Sequence, residues 1–215
     1  MKLKCVECGI VVSKRKEVFD RNVKTLGISP EDYKAIYHCR ACRPDPYFDW
    51  RTISKLDLSE QFLDKYKDKI DWYQYLSRHK ITEIEKFVER YKLEWKYVLR
   101  TQDLSEEFIE KHVSEFDHDA WISLWAYRSV TIQFIERHID KVSWDIISEC
   151  QNLPEEFIEK CAGEVNWNVI SRYQKLSPEF ITKHIDKITA EILKNEEFDN
   201  YPDSIKLLLK QKFGQ

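Results

Sequence analysis

Tryptophan recurs along this chain at a nearly fixed interval. Trp50, Trp72, Trp95, Trp121, Trp144 and Trp167 are separated by 22, 23, 26, 23 and 23 residues. A period in that range marks stacked supersecondary units, none of which can bury its apolar face alone. The ladder assigns residues 48–215 to about six 23-residue repeats followed by a C-terminal helix. The expected class is mainly α, a solenoid-like stack of short helix pairs. Residues 1–47 fall outside the period and form a separate head.

Each repeat reads as two helices. The first follows an apolar residue and a cap. Ser59, Ser105, Thr131 and Ser177 can each accept a hydrogen bond from a free N–H at the helix start. Pro154 and Pro178 suit a first turn, and Glu106, Glu107, Glu155 and Glu156 favour the positive end of the helix dipole. The buried stripe is a Phe followed by an aliphatic residue, as in Phe62–Leu63, Phe134–Ile135 and Phe180–Ile181. Four residues past each Phe, on the same face, come Tyr66, Tyr91, His112, His138, Cys161 and His184.

The second helix starts on the tryptophan. Asp49, Asp71, Glu94, Ser143 or Asn166 precedes it, and apolar residues such as Ile70 and Tyr75, or Val165 and Ile170, bracket the start as a hydrophobic staple. Ala190 replaces the tryptophan in the last repeat, as fits a terminal unit with no further neighbour. The segment YPDSIKLLLKQKF predicts one more helix, with Asp203 and Ser204 as capping candidates and Ile205, Leu208 and Leu209 as its apolar face.

Two repeats break the pattern. The second shifts its Phe by two positions, to Phe87. The third carries three extra residues near Phe116–Asp119, so either His118 or Trp121 could hold the ladder position there. The insertion reads as a bulged loop, either structural slack or a contact loop, since solenoid insertions map to binding faces. Trp125, the one tryptophan off the ladder, reads either as an exposed contact or as packing inside the insertion.

The head holds the chemistry. Cys5-x-x-Cys8 and Cys39-x-x-Cys42 are two close pairs, and four thiolates complete the tetrahedron that zinc accepts. Gly9 suits the turn after the first pair. Between the pairs the sequence suggests a hairpin or loop over residues 10–25, then a short helix opened by Ser29 and Pro30. The layout is like a zinc ribbon or treble clef, with His38 as an alternative ligand. Four protein ligands leave no open position, so the zinc is expected to be structural. Cys150 and Cys161 read as buried packing residues. His112, His138 and His184 share one repeat position and read as half-buried, too far apart to share an ion.

Composition narrows the function classes. With only four glycines, phosphate-cradling loops are disfavoured. No nucleophile elbow or paired zincin histidines appear, and the expected protein is not an enzyme. No apolar run is long enough for a bilayer, and MKLKCVECGI lacks a secretory pattern, so no membrane partner and a cytoplasmic location are expected. The net charge of −3 is uneven: residues 1–47 hold ten Lys or Arg against six Asp or Glu, a surplus of +4, and the remainder holds 25 against 32.

The unit LSEEFIEKH…KVSWDIIS resembles helical repeats of bacteriophage and large-DNA-virus proteins over about residues 48–195. That likeness implies a viral or prophage interaction scaffold. Joined to CVECG…HCRAC, it is also similar to zinc-bearing type II anti-CRISPR proteins. Such proteins bind a bacterial CRISPR effector nuclease and block DNA loading or cleavage. The leading expectation is therefore a non-catalytic protein-interaction module. Its candidate contacts are Lys14, Arg15, Lys16, Arg21 and Lys24 on the head, with Phe116, His118 and Trp125 around the third repeat. The alternative is nucleic-acid binding by the basic head, which would weaken steeply with salt.

Overall fold

The computed structural model describes residues 2–4, 11–35 and 50–214. They are mainly helical and fall into two compact units, Met1–Asp103 and Leu104–Gln215. The boundary expected after residue 47 lies outside the described residues.

The first unit opens with β1 (Lys2–Lys4) and β2 (Val11–Ser13), antiparallel with Leu3 opposite Val12. Helix α1 (Lys16–Leu26) follows directly. A hairpin or loop was expected up to residue 25, so most of that stretch is corrected to helix. Phe19, Val23 and Leu26 recur at helical spacing, and α1 buries Phe19 and Leu26. Gly27 ends the helix with φ 66°, and its N–H donates to the Val23 carbonyl at 2.9 Å. A β-carbon there would crowd the Ser59 hydroxyl, so space as well as conformation favours glycine. Helix α2 (Pro30–Ala35) returns Tyr33 edge-on to Phe19, centroids 5.3 Å apart, and Asn22 Nδ2 donates to the Tyr33 hydroxyl at 2.7 Å.

The repeats of this unit are α3 (Trp50–Ile53), α4 (Glu60–Tyr66), α5 (Trp72–Leu76), α6 (Ile84–Tyr91) and α7 (Trp95–Thr101). The second unit holds α8 (Glu106–His112), α9 (His118–Tyr127), α10 (Ile132–Arg137), α11 (Trp144–Cys150), α12 (Glu155–Lys160), α13 (Trp167–Tyr173), α14 (Pro178–Lys183) and α15 (Asp203–Phe213). Short 3-10 turns join them, and the tryptophan-less last repeat closes on a 3-10 helix, Ala190–Lys194.

Caps set the boundaries. Ser59, Ser105, Thr131 and Ser177 accept from the N–H of Phe62, Phe108, Phe134 and Phe180. Asp71 and Asn166 cap α5 and α13, whereas Glu94 and Ser143 make no side-chain cap. Pro154 stands one residue before α12, and α15 starts after Pro202 with no side-chain cap from Asp203 or Ser204. Helices this short are unstable alone in water, so packing must hold them.

That packing is periodic. Three residues past each ladder tryptophan lie Ile53, Tyr75, Val98, Leu124, Ile147 and Ile170, all buried. Within the units, α5 packs on α7, and α9, α11, α13 and the 3-10 helix pack in succession. The ladder indoles sit against the next first helix: Trp72 is 4.9 Å from Tyr91, Trp121 is 5.2 Å from His138 and Trp167 is 5.7 Å from His184. Trp95 and Trp121 are buried, and Trp50, Trp72, Trp144 and Trp167 are half-buried.

Both irregular repeats have a structural solution. In the third, the extra residues form an added turn of α9, capped by Asp117 on the Ala120 N–H. The expected bulged loop is therefore helix, and Trp121, not His118, meets His138. In the second, Ile81 holds the place of Val130 and Leu153, since its N–H likewise donates to a glutamine Oε1. Two extra residues then precede Phe87. The link from Tyr91 to Trp95 is two residues shorter than the link from Tyr66 to Trp72, so the 23-residue period survives. The shortened link forces Lys92 to φ 53°, the one non-glycine residue with positive φ among those described.

Candidate functional site

Cys5, Cys8, Cys39, Cys42 and the alternative ligand His38 lie outside the described residues. Among the described residues, no group of three or more His, Cys, Asp or Glu is placed to hold a metal ion. No helix among them is long and apolar enough to cross a membrane.

Arg15, Lys16, Arg21 and Lys24 are exposed on or beside α1, and Lys14 is half-buried with its Nζ 3.5 Å from the Tyr33 hydroxyl. Helical spacing sets Asp20 between Lys16 and Lys24, and Glu17 beside Arg21. The helix thus presents alternating signs rather than a continuous cationic track. Phe116 is half-buried edge-on to Trp121, centroids 5.5 Å apart, and His118 is exposed at the first turn of α9. Trp125 is fully buried, and its Nε1–H donates to the Lys141 carbonyl at 2.9 Å. It lies one turn past Trp121, in the register of the buried Leu76 and Leu99. Its reading as a partner contact is therefore corrected to a core residue. Cys161 is half-buried, while Cys150, expected inside, is exposed at the end of α11.

The most ordered polar arrangement was not anticipated from the sequence. Gln102, Gln151 and Gln174 each stand seven residues past a ladder tryptophan and are buried. Gln151 Nε2 donates to the carbonyls of Trp125 and Arg128, both at 2.7 Å. Gln174 Nε2 donates to those of Ser148 and Gln151, and Gln102 Nε2 to those of Leu76 and His79. Each Oε1 accepts an N–H just ahead of the first helix in the glutamine's own repeat: Ile81, Val130 or Leu153. One amide thus satisfies carbonyls orphaned at the end of the preceding second helix. Asn195 repeats the donating half of the device on Ser171 and Gln174, while its Oδ1 accepts from the Glu197 N–H.

A second set of ties runs along the first helices. An acid two residues past one Phe meets residues three and four past the next. Glu110 pairs with Arg137 at 3.0 Å and His138 at 3.1 Å; Glu159 pairs with Lys183 at 2.6 Å and His184 at 3.0 Å. Asp64 accepts two hydrogen bonds from Arg90, and Glu136 pairs with Lys160. Partial burial raises the Glu110 carboxyl, but hydrogen bonds from Arg137 and His138 outweigh it and hold the group below its ordinary range. Hydrogen bonds from Lys183 and then His184 lower Glu159 likewise. A third tie joins helix starts: Glu106 accepts from the Thr131 N–H and hydroxyl at 2.7 and 2.8 Å, and Glu155 accepts from the Ser177 N–H and hydroxyl.

Large apolar side chains remain exposed at Tyr73, Tyr127, Ile139, Tyr173 and Leu207. Comparison with protein-family models, with curated proteins and with solved structures finds no match to this chain.

Proposed function

We propose that the chain is a non-catalytic protein-interaction scaffold. The observation that carries this reading is that three kinds of polar tie between neighbouring repeats each recur at two or more places. Carboxylates and imidazoles that could otherwise act as acids or bases are committed to holding neighbours in register. A framework built this way favours a fixed surface, and a preordered surface loses little conformational entropy on binding. Exposed aromatic side chains such as Tyr127 and Tyr173 supply area of the kind enriched in interfaces.

The zinc head belongs to the same reading and rests on the spacing of Cys5, Cys8, Cys39 and Cys42 alone. A structural zinc there would fold the head and fix it as a second contact region. The target implied by the sequence resemblance is a type II CRISPR effector nuclease, with occlusion of its DNA-loading or cleavage surface as the mechanism. The test mixes purified chain with a guide-loaded type II effector and follows co-elution on gel filtration and cleavage of a matched DNA. Co-elution with lost cleavage supports the target. Separate elution with undiminished cleavage removes it.

A further inference from the structure

The first unit holds 22 basic residues against 17 acidic, and the surplus is not spread evenly over its helices. In each of its repeats the residues three and four past the ladder tryptophan are buried: Ile53 and Ser54, Tyr75 and Leu76, Val98 and Leu99. Helical geometry turns the residues one, two, five and six past it the other way. None of these twelve, on α3, α5, α7 and the turns that end them, is buried. Five are cations, Arg51, Lys55, Arg78, Lys96 and Arg100; two are tyrosines, Tyr73 and Tyr97; none is an acid. The first helices of the same unit differ, for there Arg90 is tied to Glu60 and Asp64, and Lys86 to Glu83.

The three second helices join into one surface. The Ser54 hydroxyl accepts the Asp71 N–H at 2.8 Å, which ties α3 to the start of α5. Helix α5 packs on α7, and the rings of Tyr73 and Tyr97 lie 6.1 Å apart across that seam. The Lys96 ammonium sits 5.2 Å from the centroid of the Tyr97 ring, cation beside aromatic. Acids at the margins are already engaged. Asp71 caps the Gln74 N–H, Glu94 pairs with Lys96, Asp57 with His79 and Asp103 with Lys80. Among the described residues, Arg51, Lys55 and Arg78 take part in no ion pair, so three cations are left over.

Exposed aromatic rings among surplus cations match a strand that offers phosphates to pair and bases to stack. A protein partner would favour an apolar centre, and Leu56 is the one aliphatic residue among the twelve positions. The equivalent positions of α9, α11 and α13 have that other character, with Ile122, Ile146 and Val169 beside Asp145 and Glu149. We propose that the second-helix face of the first unit binds single-stranded nucleic acid, with bases stacked on Tyr73 and Tyr97 and phosphates on Arg51, Lys55 and Arg78. Neighbouring helices pack about 8–10 Å apart, so three of them give room for a strand of a few nucleotides. This face is distinct from α1, whose charges alternate in sign, and the proposal stands apart from the scaffold reading.

The test follows fluorescence anisotropy of a labelled ten-nucleotide oligothymidylate titrated with the full chain at several salt concentrations. Binding is expected, weakening log-linearly as salt rises, and a strand of the same length lacking bases should bind more weakly. Tyr73→Ala should weaken thymidylate binding roughly tenfold, the scale of one stacked base, and leave the affinity for the abasic strand unchanged. Arg78→Ala should weaken both strands and lower the salt slope by about 0.7, the share of one phosphate on a single strand. Both side chains are exposed, and an unchanged urea midpoint separates a lost contact from a lost fold. Absent binding at low salt, equal affinity for the two strands, an unaffected Tyr73→Ala variant, or tighter binding of a labelled glutamate decapeptide overturns the proposal. So does a loss of binding in Lys16→Ala and Lys24→Ala with Arg78→Ala unaffected, which would move the contact to α1.

Discussion

The side-chain amide of Gln151 lies 2.7 Å from the carbonyl oxygen of Trp125, one repeat behind it. The same nitrogen reaches Arg128, and the amide oxygen takes the N–H of Val130. A single buried side chain therefore ends one helix and positions the start of the next. Its value comes mainly from what is left behind on removal, because an orphaned buried polar group costs more than a hydrogen bond contributes net.

Gln151→Leu should destabilise the chain by about 2–5 kcal/mol, since two carbonyls and one N–H lose their partner and each such loss costs roughly 1–3 kcal/mol before relaxation. Gln174→Leu should behave alike, given its matching bonds to Ser148, Gln151 and Leu153. Urea midpoints of both variants measure this. A shift no larger than that of an exposed glutamine would show the ladder to be ornamental.

Trp125→Ala should cost about 3–5 kcal/mol by opening a cavity in the second unit. His118→Ala, exposed two turns earlier in the same helix, should fall within about 0.5 kcal/mol of wild type. The contrast in thermal or urea unfolding distinguishes core from surface at the third repeat.

Lowering pH should weaken the second unit through Glu110 and Glu159. Both carboxyls are held below their ordinary value of 4.5 in the fold. A depressed folded pKa contributes stability above the unfolded value, and that contribution is lost as pH falls through the folded one. Melting temperature should therefore be steady above about pH 5.5 and decline below about pH 4.5 on this account. Glu159→Gln should flatten the decline, and an unchanged slope would contradict the assignment.

Lys92→Gly should raise stability by about 0.5–1 kcal/mol, because relief of the left-handed strain exceeds the added freedom of the unfolded chain. The urea midpoint reports it, and a loss of stability would mean that the Lys92 side chain supports the link in a way its conformation does not reveal.

Metal analysis should find about one zinc per chain, as expected for a single four-thiolate site. Cys39→Ser should lower that occupancy, whereas Cys150→Ser, on the exposed end of α11, should leave it unchanged.

The sequence alone determined the period, the helix pairs and most first-helix starts. These follow from local chemistry: a serine or threonine three residues before a phenylalanine caps a helix wherever it occurs, and a 23-residue recurrence implies neighbours that bury each other. It also marked the second and third repeats as irregular. Tertiary structure decided how each irregularity was absorbed, as an added turn before Trp121 and as a shortened link with Lys92 left-handed. It likewise decided that Trp125 belongs to the interior, that Cys150 does not, and that α1 replaces a loop. Gln102, Gln151 and Gln174 were visible as letters but not as a ladder, because a glutamine at a helix end has no local signature. Its role exists only once the carbonyls of the preceding repeat are brought within hydrogen-bond reach, and that proximity is a property of packing between segments far apart in sequence.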